Sequence, residues 1–143
     1  MSGKRPKQKD RPGIDRYGRT ELHYAADEND VAKVQELIKG KVDVNARDDD
    51  GWTALHFAAQ SNSVAVARLL LEAGAEVDPT DSSGNTPLST AVFNYRDSGD
   101  LIELLRDNSA DPYRENNHGQ SPLGLARLIA NYDVAKYFDD LPK

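Results

Sequence analysis

The chain has 143 residues, room for one domain of ordinary size. Its 38% hydrophobic and 29% charged content is leaner in apolar side chains than an average globular chain, which favours a thin core shared between stacked units over one thick core. It has no cysteine, which excludes disulfides, zinc–thiolate sites and thiol chemistry, and no apolar run that could span a bilayer or follow the basic start as a secretory signal, so a cytoplasmic location is expected.

The net charge of −6 is unevenly placed. Residues 1–14 hold Lys4, Arg5, Lys7, Lys9 and Arg11 against Asp10, so that thirteen bases face twenty-three acids in the remainder. An acidic body repels nucleic acid and anionic membranes and favours a basic protein partner. Residues 1–14, with Pro6, Pro12 and Gly13 and no apolar period, are expected to form a disordered basic tail. A basic run can be an import or nucleic-acid arm, but short basic termini are more often simply solvated, and Ser2 and Gly3 have the look of cloning residues.

From Asp15 onward four segments align: DRYGRTELHYAAD (15–27), DDDGWTALHFAAQ (48–60), DSSGNTPLSTAVF (81–93) and NNHGQSPLGLARL (116–128). Their glycines, Gly18, Gly51, Gly84 and Gly119, are spaced by 33, 33 and 35 residues. Each segment opens on Asp or Asn three residues before Gly, the composition of a tight turn. Thr20, Thr53, Thr86 and Ser121 then stand as N-caps, with Pro87 and Pro122 at the first helical position. Leu22, Ala25 and Ala26, and likewise Leu55, Ala58 and Ala59, predict a short helix whose small-residue stripe lets neighbours approach. Val31, Val34, Leu37 and Ile38, and Val66, Leu69, Leu70 and Ala73, predict a second helix, ended at Gly74 and, one position early, at Gly40. The third unit carries two extra residues around 94–100. The fourth has a shortened second helix stopping at Leu141, whose polar residues Tyr137, Asp139, Asp140 and Lys143 suit an outer cap.

The period, and the pattern seen as Thr20-Glu21-Leu22-His23, Thr53-Ala54-Leu55-His56 and Thr86-Pro87-Leu88-Ser89, resembles the ankyrin repeat over residues 15–141. The resemblance implies an all-α protein, an ankyrin-repeat solenoid of four helix-turn-helix units joined by β-hairpin loops. Its repeats would be 15–47, 48–80, 81–115 and 116–143, within a domain of residues 15–143. The two helices and their stacking follow from the residues; the hairpins, the concave face and a protein-binding role come from the resemblance. Ser89 and Gly124 depart from the family's histidine, Arg127 from its second small residue, and Lys41 and Val42 from its Gly-Ala.

No enzyme, metal or cofactor is expected. His23 and His56 share one slot, where the resemblance implies a hydrogen bond to the next hairpin; repeats set such residues in parallel rows rather than convergent pockets. His118 falls on a hairpin tip, in solvent. Asp48, Asp49 and Asp50 lack the alternation, central Gly and closing Glu of a calcium loop. Phosphate-loop, dinucleotide and serine-nucleophile patterns are absent.

The binding face implied by the resemblance consists of hairpin tips and exposed sides of first helices. Repeat one offers Arg16, Tyr17, Arg19, Tyr24, Asp27 and Glu28. Repeat two offers Asp49, Asp50, Trp52, Phe57 and Gln60, and the later repeats Ser83, Asn85, Phe93 and His118, together with Thr90, Asn94, Gln120, Leu125 and Leu128. Trp52, the sole Trp, is placed facing solvent as an anchor, whereas Tyr24 and Phe57 could instead pack between first helices. The partner expected is another protein, basic in character, bound by a chain that is a monomer when free. Size, charge and lack of cysteine resemble ankyrin-type immunity proteins, which suggests a stoichiometric inhibitor of a basic toxin such as a nuclease. A general scaffold or adaptor binding a peptide or domain is the alternative. A third reading, a module of a larger receptor or enzyme, is disfavoured by the start at Met1 and the polar last repeat.

Overall fold

The computed structural model describes residues 14–96, 98–129 and 133–142. The expected tail, Ile14 excepted, and Asp97 of the inserted turn lie outside the described residues. Among those described, seven α-helices follow in chain order: α1 (Glu21–Asp27), α2 (Val31–Lys39), α3 (Ala54–Gln60), α4 (Val64–Glu72), α5 (Pro87–Phe93), α6 (Asp100–Asp107) and α7 (Pro122–Leu128). A 3-10 helix, Asp133–Phe138, closes the array. The shortened last helix is therefore not α-helical, and it ends before Leu141.

The residues at the four N-caps take extended backbone and start helices of equal length. Thr53, Thr86 and Ser121 accept from the backbone N–H of His56, Ser89 and Gly124. Seven-residue helices are too short to persist alone in water, so packing must hold them. The first helices α1, α3, α5 and α7 stack in a row, α2, α4 and α6 form a second row behind them, and each unit's two helices pack together. The seam between the rows is apolar and dry: Leu22, Leu55, Leu88, Val66, Leu70, Leu101 and Leu105 are at most 3% exposed. Fully buried Ala26, Ala58 and Ala67 keep the helix axes close.

The two helix ends show the expected one-residue offset between Gly40 and Gly74. Gly40 does follow α2, but at φ −77°; the left-handed position falls on Lys41, at φ 62°. In the second unit Ala73 is the cap residue and Gly74 takes the left-handed position, at φ 97°. The helix connection in the third unit runs over residues 94–99, against 28–30 and 61–63 in the first two. Gly99 there lies so close to the Tyr137 ring that a Cβ would collide with it, and its N–H donates to the Tyr137 hydroxyl at 3.1 Å.

Between units the chain reverses through tight turns. Gly18, Gly51, Gly84 and Gly119 stand at φ 77–82°, the left-handed region that favours glycine. No β-strand occurs among the described residues. The tips are instead joined one to the next: the N–H of Asp49 donates to the Tyr17 carbonyl, Ser82 to Asp50 and Asn117 to Ser83, at 2.8–2.9 Å, and these contacts do not extend into a ladder.

Candidate protein-binding face

One acidic or amide side chain organises each hairpin. Oδ1 of Asp15, Asp48, Asp81 and Asn116 each accepts from the backbone N–H two and four residues on, at 2.8–3.0 Å. The turn residue is thereby consumed by its own backbone, and the side chains between it and the N-cap are thrown outward.

Behind the first two tips lies a rigid polar seam. His23 Nδ1 accepts from the Thr20 N–H at 2.9 Å, and Nε2 lies 3.1 and 2.9 Å from the carbonyls of Ala46 and Trp52. His56 repeats the arrangement, with Nδ1 accepting from Thr53 N–H at 3.1 Å and Nε2 3.0 Å from the Asn85 carbonyl. This pattern requires the neutral ring protonated at Nε2. Burial holds both imidazoles below the ordinary histidine pKa of 6.5, against the hydrogen bonds that would favour the charged form. Both rings are structural bridges between repeats.

In front of that seam, Arg19 lies with its guanidinium 5.0, 5.9 and 5.1 Å from the ring centres of Tyr17, Tyr24 and Phe57. Its Nε donates to Asp48 Oδ2 at 3.3 Å. The Tyr24 hydroxyl donates to Asp15, and Arg16 covers the other part of Tyr17. Cation–aromatic stacking and the buried carboxylate pin Arg19 in place.

The placement of Trp52 and Phe57 corrects the sequence expectation. Trp52 does not stand free in solvent: it is half-buried, stacks on His56 with centres 5.3 Å apart, meets the edge of Phe57 at 4.9 Å and donates from Nε1 to Asp81 Oδ2 at 2.9 Å. Phe57 is only 7% exposed and packs against Trp52 and Arg19.

The exposed apolar area lies further along the row. Phe93 is 71% and Leu128 69% exposed. Beside Phe93 a cleft of about 350 Å³ opens over α5, lined by Trp52, Gln60, Asp81, Asn85, Ser89, Thr90, Phe93, Asn94, Asn116, Gln120 and Leu125. A second recess, about 380 Å³, lies across Trp52 and is lined by Arg19, Asp48, Asp50, Trp52, Phe57, Gln60, Asp81, Ser82 and Ser83. Of the side chains singled out from sequence, the structure gathers Arg19, Asp50, Trp52, Phe57, Gln60, Ser83, Asn85 and Phe93, with Thr90, Asn94, Gln120 and Leu125, on these two depressions. Arg16, Tyr17, Tyr24, Asp27, Glu28, Asp49 and His118 line neither depression; all are exposed. Asp27 is tied to the next unit by the Ser61 hydroxyl, at 3.0 Å from Oδ1.

Sequence reasoning missed Asp81, Ser89 and Asn116. Asp81 and Asn116 were read only as turn residues, yet Asp81 reaches the Trp52 indole, and Asn116 Nδ2 donates to Asn85 Oδ1 at 2.9 Å. Ser89 carried a legible signal: it replaces the imidazole that fills the same slot in the first two units, and its small side chain leaves the cleft open. Among the described residues no group of three or more His, Asp or Glu is placed to hold a metal, and no helix is long and apolar enough to cross a membrane.

A family model for ankyrin repeats in three copies matches residues 3–81 and 22–116, and the chain belongs to that family. It is a protein–protein interaction module on a fold that is typically non-catalytic. No curated protein matches the chain.

Proposed function

We propose that the face spanning α3, α5 and α7 binds a basic protein and that the chain acts as that protein's stoichiometric inhibitor. The observation that carries this reading is the exposure of Phe93 and Leu128 beside a cleft whose one charged lining residue, among those described, is the acidic Asp81. Large side chains left in water on one face mark an interaction site. The excess of acids over bases beyond residue 14 supports a basic partner, and complementary charge would speed its association. A nuclease-type toxin has the matching chemistry, since its substrate groove must be basic, and an immunity protein would act by covering it.

On this reading the functional unit is residues 15–143, with repeats 15–47, 48–80, 81–115 and 116–143, behind a tail of residues 1–14. It is monomeric when free, works in the cytoplasm and avoids nucleic acid and membranes through its negative charge. An adaptor would use the same face but leave the partner's activity intact. Affinity capture from the source organism with the wild type and with Phe93→Asp tests the reading. A protein rich in Lys and Arg should be retained by the wild type only, and its activity should fall to zero at one equivalent. Equal retention by both chains would place the site elsewhere; retention without loss of activity would favour the adaptor.

A further inference from the structure

The two depressions share a wall, Trp52 with its partner Asp81, and their linings have opposite character. On the α5 side the floor is Ser89 and Thr90 and the rim is Phe93 and Leu125, with amide side chains around them. The slot that holds an imidazole in the first two units holds Ser89 here, and Ser89 lines this pocket. On the other side of Trp52 the recess holds three carboxylates and one guanidinium. Arg19 is committed to Asp48, which is 99% buried at its side chain. Asp50 and Asp81 are left as net negative charge facing the opening. Asp81 is fixed there, its Oδ1 held by the backbone N–H of Ser83 and Asn85 and its Oδ2 by the indole.

We infer that this is a two-part site for an extended basic segment of the partner, one apolar side chain seated between Phe93 and Leu125 and one Lys or Arg in the recess before Asp50 and Asp81. The inference rests on the protein-binding reading above and names the chemistry of its ligand. The net negative charge of Asp50 and Asp81 favours a cationic occupant: a Lys or Arg is attracted and steered, whereas an acidic segment is repelled. Trp52 separates the two anchors and sets their spacing. Neighbouring first helices lie about 8–10 Å apart, which an extended chain covers in about three residues.

A displayed library of random dodecamer peptides panned on the full chain tests this directly. The enriched sequences should share a Lys or Arg about three residues from Leu, Ile, Met or Phe. A synthetic peptide of the enriched sequence should change the emission of Trp52, the sole Trp, which borders both pockets. Replacing its cation by Gln should weaken binding about tenfold, and Asp50→Asn should weaken the parent peptide while leaving the Gln peptide unchanged. Phe93→Ala should weaken both. Absence of enrichment, enriched sequences without a basic residue, or binding indifferent to Asp50→Asn and Phe93→Ala would each overturn the two-part site. None of these results bears on whether Phe93→Asp releases the captured protein, so the broader reading stands or falls separately.

Discussion

The first two repeats and the last two solve the same stacking problem with different chemistry. The buried neutral ring of His23 bridges repeat one to repeat two, and that of His56 bridges repeat two to repeat three, each spanning from its own N-cap to the next hairpin. Repeats three and four have Ser89 and Gly124 in that slot, too short to bridge. Their junction relies on Asn116 to Asn85, on the Leu123 N–H to the Pro112 carbonyl at 3.0 Å, and on a clamp at the far end. There Arg106 forks onto Asp140 at 2.7 and 2.9 Å, donates to the Tyr137 carbonyl at 2.8 Å and covers the Phe138 ring. The first half spends its polar groups on interior cohesion. The second half moves cohesion to the surface and the end cap, and leaves an open cleft over α5.

The largest effects should come from the seam common to both halves. Leu55→Ala and Leu70→Ala remove side chains that are 1% and 0% exposed, and each should cost roughly 2–5 kcal/mol in a denaturant melt. The exposed hairpin change Asp50→Asn should stay within about 0.5 kcal/mol. Wild-type-like midpoints for both leucine variants would mean that the stacking register is wrong.

The comparison itself is sharpened at the bridging slot. His56→Ala leaves the Asn85 carbonyl and the Thr53 N–H without their partner and should cost about 1–3 kcal/mol, whereas Ser89→Ala should cost less. Acid should show the same asymmetry. Both imidazoles bind protons less readily folded than unfolded, so their stabilisation is complete above the unfolded pKa of 6.5 and is lost as pH falls below it towards their depressed folded values. Melts between about pH 7.5 and about pH 5.5 should show this loss, and it should shrink in His56→Ala.

Trp52→Ala should cost roughly 1–3 kcal/mol, because the indole is packed on His56 and Phe57 rather than free. Any binding loss in Trp52→Ala must therefore be read beside a melt. The smallest change is a gain: Lys41→Gly relieves a left-handed backbone at φ 62° and should stabilise by up to about 1 kcal/mol, visible as a higher midpoint.

Much of the fold was legible because each unit states its turn, cap and helix in sequence order. Four aligned glycines and four N-caps fix the period, and the apolar spacing fixes which helix faces meet. Features set by contacts between units were not legible. The last helix is docked by Arg106 on the Tyr137 carbonyl and by the Tyr137 hydroxyl on Gly99, contacts between residues far apart in sequence. The same limit applies to the face. Phe93 is an outward apolar residue on a first helix and could be read as such. Trp52 and Phe57 could not, since their packing depends on Asp81 and Arg19 arriving from neighbouring units.

The most direct measurement is titration calorimetry of the captured partner against two single variants on opposite sides of the array. Phe93→Ala removes the most exposed apolar side chain of the cleft rim, and Glu72→Ala changes an exposed residue at the end of α4, in the row behind. The expected result is a loss of tenfold or more, about 1.4 kcal/mol, for Phe93→Ala with unchanged affinity for Glu72→Ala. Unchanged affinity for Phe93→Ala in a protein that melts like the wild type would contradict the assignment of this face.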